Sequence, residues 1–228
     1  MRLYLSSFRI GDRPDLLLGL CGGQRKVAVI ADALDAASEE TRRDGVQREI
    51  AALAALGLEG GEIDLREFAG RPGDLADELE RFPAVWVRGG NVFALRYAMA
   101  RSGADALLTK LVQDDAIVYA GYSAGACVLA PSLRGLEAYD DPNLHGLLTC
   151  DDPSQRGLEG SDVVPETVWD GLGVLDFAFV PHVGSPGHPE CEALTRVADG
   201  YRANGVPFRA LRDGQVLVVD GESSAIVL

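Results

Sequence analysis

The stretch Ile117-Val-Tyr-Ala-Gly-Tyr-Ser-Ala-Gly-Ala126 decides the fold that we predict for this chain of 228 residues. Its apolar beginning predicts a buried strand over 117–120, followed by a sharp turn and a helix that begins near Ala124. The turn, Gly121-Tyr-Ser-Ala-Gly125, fits the G-x-S-x-G pattern of a nucleophilic elbow. Such a turn lifts the serine hydroxyl above the sheet and points backbone N–H groups at a helix N-terminus toward a developing oxyanion. Ser123 is therefore a candidate nucleophile.

Strands and helices alternate along the chain before this elbow. Strands are predicted over 2–6, 26–31, 62–68 and 84–88, and helices over 15–20, 39–56, 74–81, 92–101 and 104–114. This order is typical of an α/β protein with a doubly wound, mostly parallel sheet flanked by helices. No internal repeat, low-complexity tract or linker interrupts the sequence. We therefore predict a single domain over residues 1–228.

The part of the chain after the elbow is less regular. Residues 131–173 are rich in Asp, Pro and Gly, and a loop of that length in a compact domain is usually functional. The elements predicted after it are a buried strand, a helix and three short strands, over 176–180, 189–203, 208–211, 216–219 and 224–227. Asp213-Gly214 and Asp220-Gly221 predict hairpin turns between the last three strands.

Composition and charge limit the class of protein and its partners. The hydrophobic content of 47% is typical of a soluble globular protein, and the net charge of −14 argues against nucleic acid or an anionic membrane surface as a partner. No apolar run is long enough to span a membrane, and the first residues do not resemble a secretory signal. The sequence does not distinguish a monomer from a homodimer.

The cysteines and histidines indicate a reducing compartment and no zinc site. The four cysteines are widely spaced without a C-x-x-C pair, which predicts reduced thiols and a cytoplasmic protein. They are Cys21, Cys127, Cys150 and Cys191. The spacing of the three histidines, His145, His182 and His188, matches no common zinc-ligand motif.

Three features fall at the carboxyl ends of predicted buried strands, namely Gly89-Gly90-Asn91, Ser123 and His182. In open α/β sheets the reactive crevice lies outside those ends. A serine hydroxyl is a poor nucleophile until a positioned imidazole takes its proton. His182 is the candidate base, because it is the histidine that directly follows a buried strand. The two glycines can present backbone N–H groups to an anion at close range.

The third member of such a site is a carboxylate that orients the imidazole. The loop after Ser123 offers five candidates, Glu137, Asp140, Asp141, Asp151 and Asp152. Residue type alone does not choose among them, because a charged loop residue is usually solvated.

Together, Gly89-Gly90-Asn91, Gly121-Tyr-Ser-Ala-Gly-Ala126 and Pro181-His182 resemble the peptidase E family of aspartyl dipeptidases, within the class I glutamine-amidotransferase-like superfamily. The resemblance covers most of the chain, from Leu3 to the final strands, and implies a flavodoxin-like sandwich. It also implies a serine peptidase that hydrolyses small peptides through a Ser–His–carboxylate triad and an acyl-enzyme. Ser123 would be the nucleophile and His182 the base and acid. The oxyanion and substrate-binding residues would be Gly89, Gly90, Asn91 and Ala124.

The sequence departs from the family pattern in two places. Known members carry an aspartate a short way after the serine, whereas here the nearest acid is Glu137, fourteen residues after Ser123. We predict Glu137 as the triad acid, with Asp140 and Asp141 as alternatives. Members that cleave after an N-terminal aspartate also have an arginine-bearing segment after the histidine. Here the first arginine after His182 is Arg196, so we expect weak selectivity for aspartate.

Three other functions are compatible with parts of this pattern. An esterase or amidase of the α/β-hydrolase type shares the elbow, but the sequence lacks the usual His-Gly-Gly-Gly oxyanion loop. A glutamine amidotransferase would have a cysteine at the position of Ser123. A non-catalytic protein that binds a small molecule in the same crevice is the third alternative. No metal or nucleotide cofactor is implied, because a triad with an oxyanion hole supplies nucleophile, proton transfer and charge stabilisation.

Overall fold

The computed structural model describes residues 1–143 and 167–228. His145, Cys150, Asp151 and Asp152 lie outside the described residues. Within the described ranges, no helix has both the length and the apolar character needed to cross a bilayer.

Nine strands occur in the described residues: β1 (Arg2–Ser6), β2 (Lys26–Ile30), β3 (Glu59–Glu62), β4 (Ala84–Val87), β5 (Val118–Tyr122), β6 (Ala178–Val180), β7 (Phe208–Ala210), β8 (Val216–Asp220) and β9 (Ser223–Val227). Seven of them form one sheet in the order β3-β2-β4-β5-β1-β8-β9. The first five of that order run parallel, and β8 and β9 continue the sheet as antiparallel strands. Strands β6 and β7 form a separate parallel pair.

Seven α-helices accompany the strands: α1 (Pro14–Cys21), α2 (Glu39–Ala54), α3 (Pro72–Leu79), α4 (Val92–Ser102), α5 (Ala104–Gln113), α6 (Ala124–Cys127) and α7 (Cys191–Ala203). Helices α1 and α2 bury apolar side chains against one face of the sheet, which includes Tyr4 and Trp86. The other five helices supply the core of the opposite face. Because both faces are covered, the central strands are apolar throughout rather than alternating. The doubly wound, mostly parallel sheet predicted from the sequence is confirmed.

Two sequence predictions about individual elements are wrong. The strand predicted over 62–68 ends at Glu62, and Leu65–Phe68 forms a 3₁₀ turn. The cause is local, because the Asp64 carboxylate accepts a hydrogen bond from the Arg66 N–H and caps that turn. The predicted hairpin at Asp213-Gly214 is also absent, since β7 pairs with β6 and not with β8. The hairpin between β8 and β9 at Asp220-Gly221 is confirmed.

Candidate active site

Ser123 occupies the strained turn between β5 and α6. Its backbone has φ 48° and ψ −117°, a conformation that L-residues rarely adopt. The flanking glycines allow this turn to pack against β4, because a Cβ at Gly125 would lie 2.2 Å from the carbonyl oxygen of Val87 and a Cβ at Gly121 would lie 2.8 Å from it. The Ser123 N–H donates to the carbonyl of Ser6, at the end of β1, over 3.3 Å.

The segment Gly89-Gly90-Asn91 lies directly against this turn. A Cβ at Gly89 would be 2.9 Å from the Cβ of Ser123, so only glycine fits there without a shift. Gly90 has φ 149°, and a Cβ on it would lie 2.5 Å from the carbonyl oxygen of Ala33. Among the described residues, no acceptor is paired with the N–H of Gly90 or of Ala124. Asn91 has a structural task, because its side chain caps α4 by accepting from the N–H groups of its first turn.

His182 follows β6 and is 1% exposed. Its Nδ1 lies 2.6 Å from Oδ1 of Asp213, and its backbone N–H donates to Oγ of Ser7 over 2.8 Å. The Ser7 hydroxyl in turn lies 2.9 Å from the same Asp213 oxygen. Burial lowers the pKa of His182, and the hydrogen bond and charge of Asp213 oppose that shift. Asp213 therefore contacts Nδ1 of the imidazole. The other ring nitrogen, Nε2, is not in contact with that carboxylate.

The expectation that Glu137 contacts the imidazole is corrected by this arrangement. Glu137 is exposed, and its carboxylate accepts from a backbone N–H two residues earlier in the chain. Asp213 contacts His182 instead, and the Asp213 N–H donates to Oγ of Ser185 over 2.8 Å. Asp213 lies ninety residues after Ser123. It is therefore remote from the loop in which the sequence suggested the acid.

The two alternative acids of that loop contact helix α4. Oδ2 of Asp140 accepts from the Val92 N–H over 2.7 Å, and the carbonyl of Asp141 accepts from Nδ2 of Asn91 over 2.9 Å. Burial raises the pKa of Asp140 to about 7. These contacts hold the loop beside the glycine segment and away from Nδ1 of His182.

Ser6 and Ser7 bring the serine and the histidine to the same strand end. Ser6 accepts from the N–H of Ser123, while Ser7 accepts from the N–H of His182. No hydrogen bond of 3.5 Å or less joins the Ser123 hydroxyl to the imidazole, as far as the described residues show. Catalytic hydrogen bonds are often long without substrate and tighten when it binds. The anchoring at β1 places the backbones of Ser123 and His182 at the same strand end.

A second histidine and an aromatic ring enclose the His182 side chain. The rings of His182 and His188 are stacked, with centroids 3.6 Å apart and planes 3° from parallel. Phe8 meets both rings edge-on, at centroid distances of 5.8 Å and 5.1 Å. Ligand atoms of His182, His188 and Asp213 lie within 4.8 Å of one another. An imidazole lone pair lies in the plane of its ring, so one metal ion cannot bond both stacked rings as they stand.

A cavity of about 350 Å³ is lined in part by Phe8, the residue whose ring contacts both histidines. Its walls include Phe8, Arg9, Ile10, Arg48, Glu49 and Gly214.

The carboxylate of Glu49 already has partners inside the protein. It accepts hydrogen bonds from Trp86 Nε1 and from the Tyr122 hydroxyl, and it lies 3.2 Å from Nε of Arg88. This ion pair compensates the positive charge of Arg88, which follows β4.

Comparison with known proteins identifies relatives of this chain. A peptidase E of Streptomyces coelicolor is 30% identical over 158 residues, which are 68% of this chain and 56% of that protein. An uncharacterized peptidase of Listeria monocytogenes is 28% identical over 131 residues, 58% of this chain and 54% of that protein. The matched segments thus span little more than half the length of these curated relatives.

Solved structures show the same fold. The crystal structure of a putative peptidase E protein from Listeria monocytogenes superposes with a TM-score of 0.75 at 22% identity, covering 99% of this chain and 97% of that one. A peptidase from an acI-B1 actinobacterium superposes with a TM-score of 0.61 at 15% identity, covering 99% of this chain and 86% of that one. The model of peptidase family S51 matches residues 13–227. With nearly the whole chain matched, the protein belongs to peptidase family S51.

Proposed function

We propose that the protein is a serine peptidase that hydrolyses small peptides, with Ser123 as nucleophile, His182 as base and acid, and Asp213 as the orienting carboxylate. The observation that carries this proposal is the 2.6 Å contact between Nδ1 of the buried His182 and Asp213, on an imidazole anchored to the same strand end as Ser123. Membership of peptidase family S51 supports the reaction class.

In the proposed reaction, the Asp213 carboxylate accepts the Nδ1–H of His182 and so fixes the tautomer in which Nε2 is a base. Nε2 takes the proton of the Ser123 hydroxyl as its oxygen attacks the peptide carbonyl. The charge that develops on the carbonyl oxygen is stabilised by the N–H groups of Gly90 and Ala124. The imidazolium then protonates the leaving amine, which departs and leaves an acyl-enzyme. Water, activated by the same imidazole, hydrolyses that ester and restores the hydroxyl.

The order of strands in the sheet supports a proposal for the side of the serine on which each part of the substrate binds. Strand β5 lies between β4, which carries Gly89 and Gly90, and β1, whose end holds His182 through Ser7. The oxyanion therefore belongs on the β4 side and the leaving amine on the β1 side. The segment after β1 and Gly214 line the cavity beside Phe8 together with α2, and this cavity is the candidate site for the leaving portion of a small peptide.

The location that we propose is the cytoplasm. The described cysteines, Cys21, Cys127 and Cys191, are free thiols, which supports a reducing compartment.

Three variants test the proposed chemistry. We expect Ser123→Ala and His182→Ala each to lower kcat for dipeptide hydrolysis by about 10³-fold or more, and the double variant to lose little beyond either single one, because the two residues act as a unit. Circular dichroism and thermal unfolding would show that the variants are folded. Wild-type rates in folded Ser123→Ala, or losses that multiply in the double variant, would contradict the proposal.

A further inference from the structure

We propose that Arg9 and Arg48 bind the carboxylates of the leaving residue, so that peptides with an acidic residue on the leaving side of the scissile bond are preferred. The inference deepens the proposed function and rests on it, because it takes the cavity beside Phe8 as the site of the leaving residue. The chemical class of that residue is a dicarboxylic amino acid, which at the end of a dipeptide carries both an α-carboxylate and a side-chain carboxylate.

The cavity borders the proposed triad at two points. One is Phe8, whose ring meets that of His182 at a centroid distance of 5.8 Å. The other is Gly214, which directly follows Asp213, the residue whose Oδ1 lies 2.6 Å from Nδ1 of the same histidine. A volume of about 350 Å³ is at the lower end of the range for small-molecule sites, which suits one amino-acid residue.

The wall of the cavity carries two arginines without an ionic partner. Arg9 and Arg48 are both exposed, and neither forms an ion pair in the part of the chain that the structure describes. Glu49 also lines the cavity, but its charge is compensated by Arg88. The chain has 35 acidic against 21 basic residues, so two unpaired arginines on one cavity are a local exception to its negative charge. Each guanidinium presents a fork of N–H donors that matches one carboxylate, and two forks match a dicarboxylic residue.

The backbone of Arg9 is held in a conformation that a long side chain rarely adopts, with φ 49°. Its carbonyl accepts a hydrogen bond from Oγ of Ser6, which fixes the turn. Cζ of Arg9 lies 5.1 Å from the centre of the Phe8 ring, the same ring that contacts His182. Backbone strain of this kind persists where surrounding contacts impose it, and it is concentrated at ligand sites. The strained turn therefore holds a guanidinium beside the proposed triad.

The bonds of a dipeptide give a reach that fits this placement. In the proposed reaction, Nε2 of His182 protonates the leaving nitrogen over about 3 Å. The α-carboxylate carbon lies about 2.5 Å from that nitrogen, because both are bonded to the same Cα. A guanidinium that binds this carboxylate has its Cζ about 4 Å farther on, which places Cζ within about 10 Å of Nε2. The distances of 5.1 Å from Arg9 to the Phe8 ring and 5.8 Å from that ring to His182 set an upper limit of similar size.

Asp12 opposes the two arginines from the same wall. Its side chain is exposed and has no basic partner among the described residues. It lies against Gly214, since a Cβ on that glycine would be 2.3 Å from Oδ2 of Asp12. A negative charge at this point weakens the attraction for a carboxylate, so its removal should strengthen the preference for an acidic leaving residue.

The test measures kcat/KM for Ala-Glu, Ala-Gln and Ala-Gln amide, whose leaving residues carry two, one and no carboxylates. Glu-Ala and Gln-Ala place the same side-chain difference on the acyl side. The proteins are the wild type, Arg9→Gln, Arg48→Gln, Asp12→Asn and, as the matched control, Arg43→Gln. Arg43 is an exposed arginine of helix α2, like Arg48, but it does not line the cavity. The rate at which a fluorophosphonate modifies Ser123 reports the nucleophile and base without a leaving amino acid.

We expect kcat/KM of the wild type to fall by at least about fivefold at each step from Ala-Glu to Ala-Gln to Ala-Gln amide, mainly through KM. Arg9→Gln and Arg48→Gln should each reduce these steps and leave the fluorophosphonate rate unchanged. Asp12→Asn should enlarge the step between Ala-Glu and Ala-Gln, and Arg43→Gln should change none of the rates. Glu-Ala should be hydrolysed no faster than Gln-Ala in every form.

The inference is overturned if the wild type hydrolyses Ala-Glu no faster than Ala-Gln, or if the arginine variants slow all three leaving residues alike. It is also overturned if Glu-Ala shows the arginine-dependent preference, because the cations would then act on the acyl side. Each of these results, in a protein that reacts with the fluorophosphonate, contradicts the inference alone. Failure of the wild-type protein to react with the fluorophosphonate would instead contradict the proposed function.

Discussion

Replacing Asp213 by asparagine tests the role that we propose for the carboxylate beside His182. The change removes the charge but keeps the size of the side chain that lies 2.6 Å from Nδ1 of His182. In the proposed reaction the imidazole becomes a cation when it takes the serine proton, and the aspartate would stabilise that cation. For unit charges about 4 Å apart at an effective dielectric constant near 20, the attraction is about 4 kcal/mol. A loss of that size corresponds to a fall of about 10³ in kcat.

The assay is steady-state hydrolysis of Ala-Leu, with the fluorophosphonate rate as a second measure of the activated serine. Glu137→Gln is the matched comparison, since the sequence suggested that residue and the structure places it elsewhere. We expect Asp213→Asn to lose about 10³-fold and Glu137→Gln to stay near the wild-type rate. The reasoning is refuted if folded Asp213→Asn keeps more than about a tenth of the activity, or if Glu137→Gln is the more damaging change.

Other predictions follow from charge and burial. Burial lowers the pKa of His182 below 6.5, so the imidazole stays neutral as the pH falls toward that value. The acid limb of the pH profile of kcat/KM should therefore lie below pH 6.5. An acid limb above about pH 7 would contradict this. Asp-Leu should be hydrolysed no faster than Ala-Leu, since Arg88 is paired with Glu49; a preference above about a hundredfold, nearly 3 kcal/mol, would show that another cation reaches the substrate. Burial raises the pKa of the Cys127 thiol, so iodoacetamide should leave activity unchanged, and inactivation through this residue would revive a thiol mechanism.

The central fold was predictable because its signals are local. The buried strands around the elbow are uninterrupted apolar runs, and the helices between them carry their own start signals, such as Ser38, whose side chain accepts from Thr41 at the start of α2. The G-x-S-x-G turn was visible because steric crowding at Gly121 and Gly125 leaves no room for a larger side chain. Both kinds of signal depend on residues that are close in the sequence.

The contact between Asp213 and His182 was missed because its signal depends on pairing between strands that are distant in the sequence. Asp213-Gly214 matches a hairpin turn, and that interpretation holds only if β7 pairs with β8. In the structure β7 pairs with β6, which brings the segment after β7 to the end of β6, where His182 lies. Ser7 was missed for a similar reason, since its hydroxyl contacts residues more than 170 positions away. No short pattern around these residues records such partners.

The most direct test of the central claim is the mass of the protein after reaction with a fluorophosphonate, followed by peptide mapping. We predict one adduct per chain, located on Ser123, which is lost in Ser123→Ala and forms much more slowly in Asp213→Asn. An unmodified wild-type chain, or an adduct on another residue that persists in Ser123→Ala, would contradict the claim that Ser123 is a nucleophile activated by His182 and Asp213.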